Sequence, residues 1–118
     1  MIQFHIIKNK KIAEISALNK KIKTTDDIME FFGDCYANDV LGVIIAKYHF
    51  DNSFFDLKTG IAGDILQKFT NYNIKLAITG DFSNIESNSL KDFIRESNKR
   101  KFINFVTSTE KAIEAIIG

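Results

Sequence analysis

The fold of this chain is restricted by one continuous apolar run, residues 40–46 (Val-Leu-Gly-Val-Ile-Ile-Ala). The run has the length of a strand and is rich in β-branched residues, which is typical of a strand covered on both faces. Residues 74–79 predict a second buried strand, and residues 102–106 predict the last one. A sheet covered by helices is therefore expected.

Helical periodicity fills the intervals between these strands. Residues 24–27 (Thr-Thr-Asp-Asp) are typical of a helix start, since acidic side chains are favourable at the positive end of the helix dipole. Residues 37–39 end this helix, and Gly33 weakens it. Its apolar positions fall on one face: Ile28, Phe31, Phe32 and Cys35.

Two later helices are predicted from serine and threonine residues. One begins near Ser87 or Ser89, and Ser89 with Asp92 has the reciprocal spacing of a capping box. Thr107 and Glu110 form a second capping-box candidate. The apolar faces of the two helices are Leu90, Phe93 and Ile94, and Ala112, Ile113 and Ile116.

The chain is predicted to open with a hairpin. Residues 2–7 and 11–17 mix apolar and polar side chains as half-buried strands do, and Asn9 between them tolerates the positive φ of a tight turn. The element order is then β-β-α-β-α-β-α-β-α. Strands that alternate with helices imply right-handed crossovers and a mixed, mostly parallel sheet. We predict a single α/β domain over residues 1–118, which is an ordinary size for one domain.

The segment 54–69 changes its period in the middle. An aromatic pair leads into a short polar loop, and a helix with a buried face is predicted to start near Thr59. Thr59 and Asp56 can each offer an oxygen to the first helical turn, while Gly60 and Gly63 allow a close approach of backbone or ligand. Such a helix start suits an anion or a phosphorylated side chain.

Composition excludes several classes of protein. The 16 basic and 15 acidic residues leave a formal charge of +1, whereas nucleic-acid binders usually carry a basic excess. Cys35 is the single cysteine, so no internal disulfide forms. Residues 1–5 lack the pattern of a signal peptide, and no apolar run approaches the roughly 20 residues that span a bilayer. We expect a cytoplasmic protein without a nucleic-acid or membrane partner.

The functional surface is predicted at the carboxyl ends of the parallel strands, where ligands and partners meet such sheets. The loops there contain residues 49–59, 80–83 and 107–109. We define the rim as residues 51–63 together with Asp81 and Phe82. Its candidate binding residues are Asp51, Phe54, Asp56, Lys58, Thr59, Gly60, Gly63, Asp81 and Phe82.

No catalytic residue, metal ligand or cofactor is assigned from the sequence. The spacing of the candidate carboxylates fits no recognised ligand pattern: Asp51, Asp56, Asp81, Asp92 and Glu96. His5 and His49 lie on distant strands, and Cys35 is predicted to be a buried, unreactive thiol. Thr59 has two interpretations, a helix cap and a phosphorylation switch.

Several segments together resemble a bacterial family known as domain of unknown function 4180. The resemblance covers nearly the whole chain, in residues 54–63, 66–72, 76–78, 80–82 and 92–98. It implies little about activity, because that family has no established function.

A more distant likeness is to STAS domains, the fold of the anti-sigma-factor antagonists. Those domains have the same element order, and a partner kinase phosphorylates a hydroxyl that precedes a glycine in the loop after their central strand. Asp56, Thr59 and Gly60 resemble that loop, and residues 108–112 look like the start of the last STAS helix. The likeness implies a phosphorylation site at Thr59.

The leading hypothesis is a non-enzymatic, STAS-like regulatory or protein-interaction domain that uses the rim, with a kinase or another regulator as its partner. The alternative is a small enzyme or a domain that binds a nucleotide or anion at the same rim, using Asp56, Thr59 and Asp81, with His49 as an optional fourth residue. A scaffold or antitoxin-like protein is a third hypothesis, which the sequence does not separate from the first.

Overall fold

A five-stranded sheet forms the centre of the computed structural model, which describes residues 1–118. The strands lie side by side in chain order, β1 to β5. β1 is antiparallel to β2, and every other neighbouring pair is parallel. The predicted mixed, mostly parallel α/β fold is confirmed. The strands are β1 Ile2–Ile7, β2 Lys10–Ile15, β3 Gly42–Ala46, β4 Lys75–Thr79 and β5 Ile103–Val106.

Four helices cover the sheet unequally. Because β2 to β5 follow one another in chain order, each crossover steps in the same direction, and right-handed crossovers then place their helices on one face. The first three helices lie on that face, and the last lies alone on the other. The helices are α1 Thr25–Ala37, α2 Ile61–Asn71, α3 Asn88–Arg100 and α4 Thr109–Ile117.

The central strand β3 is buried on both faces, as its apolar run predicts. Val43 and Ile45 belong to the larger core cluster under α1 and α2. Ile44 belongs to the smaller cluster on the opposite face, where it packs with Ala112 and Ile116 of α4. All of these side chains are almost completely inaccessible to solvent. Each face of the sheet therefore contributes to a separate hydrophobic core layer.

The predicted helix starts near Ser87 and Thr59 agree with the structure, but both predicted capping boxes, Ser89 with Asp92 and Thr107 with Glu110, are wrong. The cap of α3 is Ser87, whose hydroxyl accepts a hydrogen bond from the N–H of Leu90 at 3.2 Å, so Ser89 lies inside the helix. The cap of α4 is Ser108, at 3.2 Å from the N–H of Lys111, and Thr107 makes no cap. Helix α2 begins two residues after Thr59, because Gly60 occupies its N-cap position.

The two edges of the sheet are finished differently. At β5, the side chain of Asn98 from α3 bonds both backbone groups of Phe105, accepting from its N–H at 2.7 Å and donating to its carbonyl at 3.2 Å. This contact fills part of the outer side of β5. At the other edge, β1 joins β2 through a tight turn in which Lys8 and Asn9 both have positive φ. No other element hydrogen-bonds the outer side of β1 as a strand.

Cys35 is fully buried on α1, and burial raises the pKa of its thiol to about 11. The thiolate is the reactive form of cysteine. The thiol is therefore an apolar contact in the core at neutral pH.

Alanine substitutions at two glycines are expected to change the free energy of unfolding in opposite directions. At Gly42 an added Cβ would lie 2.7 Å from the Cγ2 atom of buried Ile116, so we expect Gly42→Ala to lower the free energy of unfolding by about 1–3 kcal/mol. At Gly33, in the middle of α1, an added Cβ meets nothing within 4 Å. Gly33→Ala should therefore raise the free energy of unfolding by roughly 0.5–1 kcal/mol. Urea unfolding of both variants and the wild type measures these differences. Equal effects of the two substitutions would contradict the packing of α4 on β3.

Candidate functional site

The rim is built where β3 and β4 end, from a chain of short turns. Between β3 and α2 the backbone forms three 3₁₀ turns, Lys47–His49, Asn52–Phe55 and Leu57–Thr59. Phe50 and Phe54 fasten these turns to the core, with ring centroids 4.3 Å apart. Phe54 is only 1% exposed, so it anchors the rim and is not available to contact a partner, contrary to its place among the predicted binding residues.

The same Asp-X-Ser turn follows both strands. The carboxylate of Asp51 accepts hydrogen bonds from the N–H and the hydroxyl of Ser53, at 3.1 and 2.6 Å. The carboxylate of Asp81 accepts the matching pair from Ser83, at 2.9 and 2.6 Å. These hydrogen bonds lower the pKa of both carboxyl groups, first through the serine hydroxyl. The two carboxylates therefore hold the loops in shape.

Thr59 joins three parts of the rim through its hydroxyl. The oxygen lies 2.9 Å from the carbonyl of Ser53 and 2.8 Å from the carbonyl of Asp56, and its single hydrogen is shared between these acceptors. The same oxygen accepts a hydrogen bond from the N–H of Ile61, the first residue of α2, at 3.2 Å. The Thr59 side chain is nevertheless exposed. We call this set of contacts the hydroxyl latch.

The other predicted residues at the helix start have separate roles. Asp56 accepts a hydrogen bond from the N–H of Lys58 at 3.2 Å and so caps the last 3₁₀ turn, not α2. Gly60 has φ 76°, a left-handed conformation that favours glycine. At Gly63 an added Cβ would meet no atom within 4 Å, so no protein neighbour requires a glycine there. The Lys58 side chain is exposed.

Lys47 is the residue that sequence reasoning missed. Its ammonium donates a hydrogen bond to the carbonyl of Asp81 at 2.8 Å, and it lies 5.2 Å from the ring centroid of Phe82 and 5.9 Å from that of Phe55. At Gly80 an added Cβ would come within 2.7 Å of the Lys47 Cβ, so glycine permits the two strand ends to approach. The available signal was its position, directly after the buried strand.

A cleft of about 310 Å³ opens beside Lys47, between the turns after β3 and the segment that leads into α3. One cation, one carboxylate and one amide line it together with apolar side chains. Such a mixture can hold a small anionic group by charge and an aromatic or aliphatic body by contact. The lining residues are Lys47, Asn52, Phe55, Asp56, Ile85 and Leu90.

His49 does not join this cleft. Its ring is buried beside Tyr48 and lines a separate cleft. The other side of that cleft is formed by residues 16–21, which follow β2 in the chain. Burial, followed by the positive N-terminus, lowers the pKa of His49, and the nearby carbonyl of Ile15 opposes that shift. The Nε2 atom has no hydrogen-bond partner. The structure therefore does not bring His49 together with Asp56, Thr59 and Asp81, and the enzyme hypothesis is left with those three residues.

The remaining candidates are dispersed over the surface. His5 lies 2.7 Å from Glu14 across the hairpin. Asp92 bonds Arg95 at 2.8 Å on α3 and is not a helix cap, while Glu96 is exposed one turn further along. No three His, Cys, Asp or Glu side chains come close enough to share a metal ion. None of the helices is long and apolar enough to cross a membrane.

These observations define a class: a mixed α/β domain with a structured polar rim at the carboxyl ends of its central strands. The chain belongs to the family described as Domain of unknown function (DUF4180), whose model matches residues 7–116. This match confirms the resemblance to that family. No curated protein and no solved structure matches the chain.

The hydroxyl latch predicts a difference between two substitutions of Thr59. Thr59→Val keeps the side-chain shape and removes all three hydrogen bonds, so we expect the free energy of unfolding to fall by about 1 kcal/mol. Thr59→Ser keeps the hydroxyl and should lose clearly less. Urea unfolding with a common m-value tests this order, and a larger loss for serine than for valine would contradict the latch.

Proposed function

We propose that this protein is a non-enzymatic, STAS-like regulatory domain of the bacterial cytoplasm that binds a protein partner through its rim, and that phosphorylation of Thr59 controls the binding. The observation that carries this proposal is the hydroxyl latch: one exposed side chain fastens three segments of the rim. The partner is a kinase or another regulator.

A phosphate on Thr59 would change the rim by removing a donor and adding charge. The ester oxygen has no hydrogen, so it cannot donate to the carbonyls of Ser53 and Asp56, which now lie 2.9 and 2.8 Å away. The added group carries a charge of about −1.5 to −2 and would face those carbonyl oxygens at close range. The last 3₁₀ turn must then move away from its present position.

The start of α2 offers a place for that phosphate. The first N–H groups of a helix have no partner within the helix, and the helix dipole favours a negative charge beside them. At α2, the N–H of Gly60 donates to the carbonyl of Leu57 at 3.3 Å and the N–H of Ile61 donates to the Thr59 oxygen at 3.2 Å, which leaves the N–H groups of Ala62 and Gly63 free. Phosphorylation would thus exchange one ordered rim for another.

The rim also has the chemistry of a protein-binding surface. Phe55 and Phe82 are half-buried on either side of the Lys47 ammonium, and the exposed Asp56, Lys58 and Asp81 lie around them. Aromatic side chains near the centre with polar groups around them are typical of protein interfaces. The fixed loops favour binding because they lose little conformational freedom on association.

The test is an affinity pull-down from the native host with wild type, Thr59→Ala and Thr59→Glu, read by mass spectrometry for bound proteins and for phosphate on residue 59. We expect phosphate on the wild type and a specific partner that Thr59→Glu loses. Thr59→Ala should retain it, because alanine removes the hydrogen bonds of the latch but adds no charge beside the carbonyls. For the purified partner, we expect at least tenfold weaker binding to Thr59→Glu.

Thr107→Glu is the matched control, since Thr107 is exposed at the same end of the sheet, after β5, and lies outside the rim. It should bind the partner like the wild type. Equal binding by all variants, with no phosphate on residue 59, would reduce Thr59 to a structural hydroxyl.

The cleft beside Lys47 favours a second candidate function, the binding of a nucleotide or another small anion. A ligand at 100 times its dissociation constant adds about 2.7 kcal/mol to the free energy of unfolding. A thermal-shift screen of nucleotides, phosphate and carboxylates should then stabilise the wild type, and Lys47→Met should abolish the effect. Stabilisation that persists in Lys47→Met would exclude this cleft as the site.

A further inference from the structure

We propose that the protein forms a symmetric homodimer through the edge strand β1, which pairs antiparallel with β1 of a second copy. This inference does not depend on the proposed function of the rim. It arises from the contrast between the two edges of the sheet. Asn98 occupies backbone groups on the outer side of β5, while the outer side of β1 meets no other strand.

The hydrogen bonds of β2 show which backbone groups of β1 point outward. The N–H of Ser16 donates to the carbonyl of Met1 at 3.0 Å, so the odd-numbered residues of β1 face β2. The carbonyl of Lys11, which is paired with Ile6, instead bonds Leu41 on the β3 side at 2.8 Å. Both observations place the N–H and carbonyl groups of Ile2, Phe4 and Ile6 toward the open edge.

The side chains of the same residues form an apolar strip. Ile2, Phe4 and Ile6 alternate onto the face that carries α1, and Phe4 is 39% and Ile6 69% exposed. Sheet edges in natural proteins are usually protected by charged side chains or proline. The strand Ile2–Ile7 has no lysine, arginine, acid or proline, and His5 is its single ionisable side chain.

One register satisfies the whole strip. When Phe4 faces Phe4 of the second copy, Ile2 faces Ile6 of the second copy and Ile6 faces Ile2. Every outward-pointing residue then meets an outward-pointing residue and exchanges both backbone hydrogen bonds with it. Phe4 then faces Phe4, a favourable aromatic cross-strand pair, and isoleucine faces isoleucine on both sides of it.

Charges of both signs flank the strip: the Lys11 ammonium lies 5.6 Å from the ring centroid of Phe4, and Glu30 and Asp34 of α1 line the groove beside Ile2 and Phe4. The lysines of the hairpin turn, Lys8 and Lys10, lie beyond the paired residues, and Gln3 faces His5 of the second copy on the opposite face of the sheet. The contact is isologous, so a two-fold axis perpendicular to the sheet closes it as a dimer. The occupant that fits this edge best is therefore the chain itself.

Sedimentation velocity over a concentration series tests the assembly. We expect the wild type to sediment as a dimer with a concentration-dependent monomer fraction. Phe4→Lys would place two ammonium groups opposite each other at the axis and should give monomer at concentrations where the wild type is dimeric. Tyr36→Lys is the control, since Tyr36 is also exposed, at 61%, but contacts Tyr72 of the α2 C-cap. That variant should remain dimeric.

Disulfide trapping tests the register separately. Facing residues of a hydrogen-bonded antiparallel pair have Cα atoms about 5.5 Å apart, within the range that a disulfide spans. A mixture of the Ile2→Cys and Ile6→Cys chains should cross-link to the mixed dimer under mild oxidation, whereas each variant alone should not. Cys35 is buried and gives no background in the folded protein.

A wild type that sediments as a monomer at every concentration would overturn the proposal. So would a dimer that persists in Phe4→Lys or that yields no mixed cross-link. Circular dichroism of each variant at the same concentrations establishes that the chain is folded, and Ile6→Lys replaces Phe4→Lys if the latter is not.

Discussion

The structure depends on burial of β3 on both of its faces. A strand with apolar side chains on either side needs a helical layer above and another below, and α1, α2 and α4 supply them. Once both faces are covered, the end of the strand is the place where the chain can return to solvent. The turns that begin at Lys47 are therefore a consequence of the core, and they place polar groups at the edge where two parallel strands stop.

The rim keeps its shape through short hydrogen bonds made largely within its own loops. Asp51 and Asp81 each hold a serine two residues later, and Thr59 closes the loop between Ser53 and Ile61. Lys47 connects the two loops by its bond to the carbonyl of Asp81. Because so few side chains maintain this arrangement, the proposed phosphorylation of Thr59 would alter the surface without disturbing the sheet.

The accuracy of sequence reasoning followed the distance over which each signal acts. The strands and helix faces could be predicted because their periodicity is local, and Asn9 marked the hairpin turn correctly. The two capping boxes were wrong because neighbouring hydroxyl residues compete for the cap position: Ser87 caps α3 and Ser108 caps α4. The contact of Lys47 with Asp81 joins residues 34 positions apart, and the burial of Phe54 occurs in a loop without a period, so neither had a local signature.

The edge-strand dimer would determine how two rims are presented. A two-fold axis perpendicular to the sheet reverses the direction of every strand. The carboxyl end of β3 in one copy and that of β3 in the other therefore point in opposite directions. The two rims would then face away from each other, and neither would be covered by the dimer contact. A compact partner could engage only one rim of a dimer, because avidity requires a geometry that permits simultaneous binding. Dimerisation would thus join two partner molecules without changing the affinity of either rim.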